Sequence, residues 1–308
     1  MGSNMKLAFW SSSKGNAGVT SNMACISIVA ALGYSYKGIL FENHYQTNNI
    51  GHLLKYHHAG LLYSINHSHV KSMGINHIMK HLSFSQFFHL SNSSYDHYES
   101  AYQSFVLNDS RWKFYENNQS LTGIIKDAAL EIVDNYLYYI PTNTVIPQNI
   151  YDFAMYDHVK SILAGAEKLA DIVYIDTSKD NHLSSKIILD EVDTVVVNLK
   201  QNLNELRYFF KNYSSLLEKC VFLISNYNSQ SNLTINKISH IFSIPKSRIA
   251  SIPYNEDYQE ALSRGSLVEF LYSNVDCSYY DPMYPFIDGV QKAVTMILMG
   301  IVNIKKGE

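Results

Sequence analysis

The stretch LAFWSSSKGNAGVTS, residues 7–21, decides the fold, because an apolar strand pattern runs through a glycine-containing loop into a helix. The residues before Ser11 form the strand pattern, and the apolar residues after Thr20 recur at helical spacing. Glycines let the backbone N–H groups of such a loop curl around an anion, and the next helix N-terminus adds a favourable dipole. The stretch therefore predicts a phosphate-binding loop between the first strand and the first helix.

The lysine that such loops use to contact the β- and γ-phosphates is missing here. Val19 stands at its position, followed by Thr20, whose hydroxyl is of the type that binds Mg²⁺. A charge-assisted hydrogen bond is worth ~1.5–3 kcal/mol, so its loss weakens nucleotide binding roughly 10- to 100-fold. The loop alone leaves two interpretations open, a nucleotide site and a turn without a ligand.

Short apolar runs alternate with helical patterns along the whole chain. The candidate strands are residues 6–10, 38–42, 136–140, 171–176, 194–199, 220–225 and 249–253. The candidate helices are residues 21–32, 150–170, 203–217, 234–242, 258–265 (with Gly265 as a C-cap) and 286–306. Strands that are apolar throughout are covered on both faces. The pattern predicts an α/β fold, a doubly wound, mainly parallel seven-stranded sheet with helices on both faces, in a single domain over residues 1–308.

The segment from about 50 to 135 departs from this alternation, and we interpret it as a helical and loop insertion between the second and third strands. Ten of the thirteen histidines lie between residues 44 and 135. His77 and His81 would share one helix face, as a pair of metal ligands does. No carboxylate or cysteine accompanies them at metal-site spacing, so surface or interface histidines are the favoured interpretation.

The composition describes a core-forming protein, with 46% hydrophobic and 17% charged residues. The net charge of −3 gives no electrostatic reason to expect nucleic-acid binding. Cys25, Cys220 and Cys277 are far apart, which indicates neither a disulfide framework nor a zinc site. No signal peptide or apolar run of about 18 residues is apparent, so we expect a cytoplasmic protein.

The loop resembles the deviant Walker A motif of the ParA/MinD family of P-loop ATPases, whose pattern is KGGxGK[ST]. Lys14, Gly15, Gly18 and Thr20 match the pattern, whereas Asn16 replaces a glycine and Val19 the lysine. Within the family, the loop is most similar to the CpaE/TadZ branch, which is linked to pilus assembly and tolerates a loop without this lysine.

Four later segments resemble the same family in the same order. KGILFENHYQTNN (37–49) resembles the second strand and switch I, with His44 at the position of the water-positioning Asp. ADIVYIDTSKD (170–180) resembles the Walker B strand, with Asp176 as its acidic residue. VFLISNYN (221–228) and IASIPYNEDYQEALSRGSLVEF (249–270) resemble the segments that contact adenine.

The resemblance implies a site for ATP and Mg²⁺ at these positions. Lys14, His44 and Asp176 would be the catalytic residues, and Thr20 and Asp176 would serve the metal. The nucleotide would be held by Gly15, Asn16, Ala17, Gly18, Val19, Thr20 and Ser21, and its base by Asn226, Pro253 and Tyr254. A neutral His44 cannot supply the charge of an Asp. Together with Val19, this substitution predicts very slow or absent hydrolysis.

The function that the resemblance implies is spatial: a dimerising, ATP-responsive scaffold that positions a bacterial pilus or secretion machine, peripherally at the inner membrane or the cell pole. One alternative is a pure protein-interaction pseudo-ATPase that binds no nucleotide. Another is an active but slow ATPase in DNA or plasmid partitioning, in which Lys14 supplies the missing charge. The final helix is expected to pack on the sheet, with membrane contact as its alternative.

Overall fold

The computed structural model describes residues 4–13, 17–45, 49–54, 74–87, 120–142, 148–177 and 183–305. These residues form one eight-stranded sheet. Its strands are β1 (Met5–Trp10), β2 (Gly38–Asn43), β3 (Leu130–Val133), β4 (Leu137–Ile140), β5 (Ile172–Thr177), β6 (Thr194–Lys200), β7 (Cys220–Tyr227) and β8 (Ile249–Pro253).

The strand order is β3-β4-β2-β5-β1-β6-β7-β8. All neighbours are parallel except β3 and β4, which form an antiparallel pair at one edge. β1 lies between β5 and β6, so the chain changes direction across the sheet at the carboxyl end of β1. In open α/β sheets ligands bind in the crevice outside such a switch point. The loop of the opening stretch begins there.

Helices cover both faces of the sheet. They are α1 (Val19–Tyr34), α2 (Asn49–Leu53), α3 (Gly74–Phe87), α4 (Leu121–Ala128), α5 (Gln148–Glu167), α6 (Leu183–Glu191), α7 (Leu203–Asn212), α8 (Ile235–Phe242), α9 (Glu256–Arg264), α10 (Leu267–Asn274) and α11 (Tyr284–Lys305). Alternate residues of β1 enter two separate apolar clusters: Leu7 and Phe9 pack with α1, α10 and α11, while Ala8 and Trp10 pack with α5 and α7. The central strand is thus buried on both sides, as its apolar sequence predicts.

The predicted fold class is confirmed, although the described residues contain eight strands and the sequence predicts seven. The additional strand is β3, which lies within the segment predicted as an insertion. Asn135, at φ 66°, makes the tight turn from β3 to β4, and the Tyr136 N–H donates to the Val133 carbonyl over 2.9 Å. Asn tolerates this left-handed conformation well. The helix predicted over 203–217 also ends early, at Asn212, and a 3₁₀ segment follows over Ser214–Lys219.

The described parts of the predicted insertion pack on the rest of the molecule. α3 and α4 contact each other and both contact α5. α4 approaches α5 so closely that a Cβ added at Gly165 would come within 2.6 Å of Ile125 Cδ1. His77 is buried, so the expected surface location is wrong for this histidine, and its ring lies 4.6 Å from that of His81. His57, His58, His67 and His69 lie outside the described residues. The single-domain organisation stays a prediction.

The last helix, α11, packs against β8 and α1 through a buried apolar face, as expected. Gly289 makes the closest approach, because a Cβ added there would lie 2.5 Å from Pro253 Cγ. Gly265 ends α9 at φ 76° as the predicted C-cap. Within the described part of the chain, none of the helices has the length and hydrophobicity that crossing a bilayer requires.

Candidate functional site

The described end of the loop, Ala17 and Gly18, leads directly into α1 at the carboxyl edge of the sheet. Gly18 occupies the N-cap position with φ 71°, a conformation that glycine adopts without steric cost. No described side chain caps this helix start, and its first turn contains no acidic residue. The first N–H groups of such a helix start and the helix dipole favour an anion.

Thr20 and Asp176 meet at this edge. Asp176 ends the apolar run of β5, which pairs with β1, and its side chain is 1% exposed. The Thr20 hydroxyl donates a hydrogen bond to Asp176 Oδ2 over 2.5 Å. Hydroxyl and carboxylate oxygens are the hard donors that Mg²⁺ prefers, and Mg²⁺ commonly combines one or two carboxylates with substrate phosphates. The pair therefore fits a Mg²⁺ ion that is shared with a nucleotide.

His44 lies beside the second oxygen of the same carboxylate. It follows β2, and its Nε2 lies 3.0 Å from Asp176 Oδ1. Thr20, from α1, and His44, from the end of β2, therefore approach Asp176 from two different elements.

Glu42 adds a second buried carboxyl group next to Asp176 in the sheet register. Tyr139 donates its hydroxyl to Oε2 over 2.5 Å, and the N–H groups of Asn49 and Ile50 donate to Oε1 over 3.0 and 3.2 Å. Burial, and then the nearby Asp176, raise the pKa of Glu42 from 4.5 to about 7. Without a bound cation, Glu42 therefore titrates close to neutral pH.

The opposite side of the loop carries neutral groups. Asn22, on α1, donates from Nδ2 to Asn198 Oδ1 over 2.9 Å and to Ser225 Oγ over 2.8 Å. Ser225 in turn donates to the Ala17 carbonyl over 2.6 Å. All three polar side chains are buried. This network links the start of α1 and the end of the loop to β6 and β7.

The beginning of the loop is held to β6 and α7. Ser11 donates its hydroxyl to the Asn198 carbonyl over 2.7 Å and accepts from the Ser13 N–H over 3.1 Å. Ser13 donates its own hydroxyl to Glu205 Oε2 over 2.6 Å. Both described ends of the loop are therefore positioned by specific side-chain hydrogen bonds.

The residues predicted to contact a base lie further along the same edge, where β7 and β8 end. Asn226 is exposed at φ 49°, and Pro253 is the last residue of β8. The Tyr254 N–H donates to the Tyr227 carbonyl over 3.1 Å, which ties the two segments together. The Tyr254 side chain is 56% exposed. Its aromatic face is available to a planar ligand.

The structure brings together most of the residues that the sequence singles out. Ala17, Gly18, Thr20, Ser21, His44 and Asp176 lie around the carboxyl end of β1, and Asn226, Pro253 and Tyr254 lie at the neighbouring strand ends. Val19 is half-buried against the apolar cluster around α1. Lys14, Gly15 and Asn16 lie outside the described residues. The roles of all these residues stay predictions.

The sequence interpretation missed the residues that hold the loop: Asn22, Asn198 and Ser225. The available signal was a polar residue inside an apolar run, as in TVVVNLK (194–200).

In the described residues, no group of three or more His, Cys, Asp or Glu could hold a metal ion.

Comparison with solved structures agrees with this architecture. A plasmid partition protein of Borrelia burgdorferi bound to AMPPNP matches with a TM-score of 0.58 at 14% identity, covering 96% of this chain and 99% of that one. The cell division ATPase MinD of Pyrococcus furiosus matches with a TM-score of 0.61 at 13% identity, covering 97% and 99%. The chain has the fold of these ATPases.

A third similar structure is the septum site-determining protein MinD of Pyrococcus horikoshii, complexed with Mg-ADP. It matches with a TM-score of 0.56 at 13% identity, covering 97% of this chain and 98% of that one. No family model matches the sequence, and no curated protein is significantly similar to it. At such low identity the likeness establishes the fold, while nucleotide binding by this chain has to be argued from its own residues.

Proposed function

We propose that this protein is a ParA/MinD-like, Mg²⁺-dependent ATP-binding protein that dimerises and positions a protein partner, with very slow or no hydrolysis. The observation that carries the proposal is the hydrogen bond between Thr20 and Asp176 at the carboxyl end of β1. A hydroxyl at the start of the helix and a buried carboxylate one strand away are the two protein groups that a P-loop offers to Mg²⁺.

The nucleotide itself would lie along the crevice between this pair and Asn226. Its phosphates would meet the N-terminus of α1, and its base would reach Asn226, Pro253 and Tyr254. Similar structures hold AMPPNP and Mg-ADP, which supports a ligand of this class. Lys14 would contact the phosphates and supply part of the positive charge that Val19 lacks.

Slow hydrolysis follows from two residues of this chain. Phosphoryl transfer needs charge stabilisation at the γ-phosphate and a positioned water. Val19 packs against apolar residues and brings no charge. His44 is engaged with Asp176 and has no carboxylate to orient a water. The nucleotide would therefore act as a long-lived switch for dimerisation.

The finer assignment is a CpaE/TadZ-like role in a pilus or secretion system, at the inner membrane or the cell pole. Its support is the loop without the lysine. The similar structures include a plasmid partition protein and the cell division ATPase MinD, and the names of both support a role in spatial positioning. A partitioning ATPase is the alternative within the same class.

A scaffold that binds no nucleotide is the second candidate, and the packing of Val19 favours it. Protein side chains hold the described end of the loop, namely Asn22, Asn198 and Ser225. In that case the fold would serve only as a platform for protein contacts, and the segment from about 50 to 135 would be the contact surface.

Titration calorimetry with AMPPNP and Mg²⁺ separates these candidates, using wild type, Val19→Lys and Lys14→Ala with size exclusion alongside. The proposal expects saturable wild-type binding with a shift to a dimer, binding roughly 10- to 100-fold tighter in Val19→Lys, and loss of binding in Lys14→Ala. Binding by Val19→Lys alone would support the scaffold. Slow but measurable phosphate release from ATP by the wild type, lost in Lys14→Ala, would support the active but slow ATPase.

A further inference from the structure

The end of α10 and its connection to α11 present tyrosine rings to solvent. Among the large apolar side chains of the described residues, the three most exposed are Tyr280 at 93%, Tyr279 at 74% and Tyr272 at 73%. The ring centroid of Tyr279 lies 5.6 Å from that of Tyr280 and 5.1 Å from that of Tyr284, so these three rings form one cluster. Exposed aromatic side chains that lie together are typical of a surface that contacts another molecule.

The surroundings of these rings are acidic. Residues 265–291 contain four Asp and Glu and no Lys, Arg or His. Glu269 and Asp276 are both exposed. Carboxylates attract Lys and Arg by charge, and the faces of tyrosine rings attract the same cations. We call this surface the tyrosine face, and it consists of Glu269, Tyr272, Asp276, Tyr279 and Tyr280.

A basic surface lies on α7, on α8 and on the segment that follows α8. Residues 200–248 contain seven Lys and Arg, two Glu and no Asp. Four exposed cations take part in none of the ion pairs within the described residues, namely Arg207, Lys211, Lys237 and Lys246. Tyr208 and Ile241, on the same two helices, are about half-exposed. These six residues form what we call the basic face.

The two faces lie on opposite sides of the sheet. α7 and α8 are joined by the stacked rings of Phe210 and Phe242, 4.4 Å apart, and Ile238 of α8 enters the apolar cluster that also holds α7. Leu271 of α10 and Phe286 of α11 belong to the other apolar cluster. The sheet therefore separates the faces within one chain, whereas two copies of the chain can bring them together.

We propose that the tyrosine face of one copy binds the basic face of a second copy, in a head-to-tail contact that requires no nucleotide. Charge complementarity selects this occupant, because the chain itself carries the unpaired cations that the acidic tyrosine surface attracts. A contact between two different faces leaves one face unoccupied at each end of a pair, so association continues beyond the dimer. The inference is independent of the proposed function, since neither face contains a residue of the nucleotide site.

The first test is sedimentation velocity of the full chain in EDTA without nucleotide, over a range of protein and NaCl concentrations. We expect the sedimentation coefficient to rise with protein concentration at low salt and to stay at the monomer value at high salt. The reason is that the Debye length shortens from about 10 Å at 0.1 M to about 3 Å at 1 M ionic strength. Wild type that stays monomeric at low salt would overturn the proposal, and its binding of a polyarginine peptide would then assign the tyrosine face to a basic partner protein.

Two double variants test which faces meet. Arg207→Glu with Lys211→Glu makes the basic face acidic, and Glu269→Lys with Asp276→Lys makes the tyrosine face basic. We expect each variant alone to lose association by roughly tenfold or more, and an equal mixture of the two to regain it, since the mixture restores one complementary contact. Because all four residues are exposed, we expect unchanged thermal unfolding midpoints.

The matched control is Lys126→Glu with Lys168→Glu, which makes the same change in net charge at two exposed lysines outside both faces. It should associate as wild type does. Equal losses in this control would show an effect of net charge alone and would overturn the proposal. Full association of Arg207→Glu with Lys211→Glu would also overturn it, because the tyrosine face would then pair with itself.

Discussion

The two sides of the loop between β1 and α1 are built from different chemistry. On the β2–β5 side, Asp176 and Glu42 are buried next to each other, with His44 beside them. On the β6–β7 side, Asn198 and Ser225 hold the loop with neutral groups. The neutral side gives the loop a shape that does not depend on pH, while burial makes the charged form of Glu42 costly on the acidic side.

The largest expected effect is the contribution of Glu42 to the pH dependence of stability. Its pKa is 4.5 in the unfolded chain and about 7 in the folded one, so the folded state holds this proton over the pH range in which the unfolded state has lost it. The contribution of Glu42 to stability is therefore complete below pH 4.5 and decreases by roughly 3 kcal/mol as pH rises to 7.

Glu42→Gln removes this titration, so urea unfolding of the metal-free chain between pH 4.5 and 7 should show a flatter profile in the variant. The neutral side provides the control, because Ser225→Ala should lower stability by the same amount at every pH. Parallel profiles for wild type and Glu42→Gln would disprove the predicted proton uptake.

Removal of the neutral network should have the next largest effect. Asn22→Leu eliminates two buried hydrogen bonds and leaves Asn198 Oδ1 without its donor, so we expect a loss of about 2 kcal/mol in the free energy of unfolding. The matched control is Ser27→Ala on the same helix, since Ser27 is buried but donates only to the Ala24 carbonyl one turn back. Urea denaturation measures both, and similar losses in the two variants would refute a special role for the network.

Thr20 tests the acidic side in a different way. Thr20→Val keeps the shape of the side chain and removes its hydroxyl, whereas Thr20→Ser keeps the hydroxyl. If Thr20 serves the metal, Mg²⁺ should increase the affinity for AMPPNP by the same factor in the Ser variant as in wild type. In the Val variant this factor should be roughly tenfold smaller. Calorimetry with Mg²⁺ and with EDTA gives the comparison. An equal Mg²⁺ gain in all three proteins would remove Thr20 from the metal site.

The smallest effect is expected at the start of the loop, where Ser13 donates to Glu205. Glu205 is partly exposed, so solvent screens the contact, and Ser13→Ala should cost about 1 kcal/mol or less. Thermal unfolding measures this loss. A larger loss in Ser13→Ala than in Asn22→Leu would mean that stability depends more on the contact at the beginning of the loop than on the network at its end.

Much of the fold follows from the sequence, because strands such as IVYID and TVVVN consist mostly of consecutive apolar residues, which indicates burial on both faces of the sheet. Strand β3 and helix α6 escaped prediction. β3 has only four residues, too few to show a period, and the apolar residues of α6 are clustered in its middle. The sequence motifs singled out Thr20 and Asp176, and the structure joins them by a hydrogen bond, while their role at a metal stays a prediction. The raised pKa of Glu42 was not predictable, because it depends on burial and on Tyr139, 97 residues away in the chain.

The contacts that shape the loop also determine when it can form during synthesis. Thr20 binds a partner 156 residues later, the Ala17 carbonyl one 208 residues later, and the Ser21 carbonyl one 237 residues later. A ribosome releases the N-terminal residues first, so the nascent loop remains without its last partner until Tyr258 has emerged. Such distant pairings also slow folding. The proposed nucleotide binding would therefore begin only after Tyr258 has been translated, and fragments that end before Tyr258 would lack it.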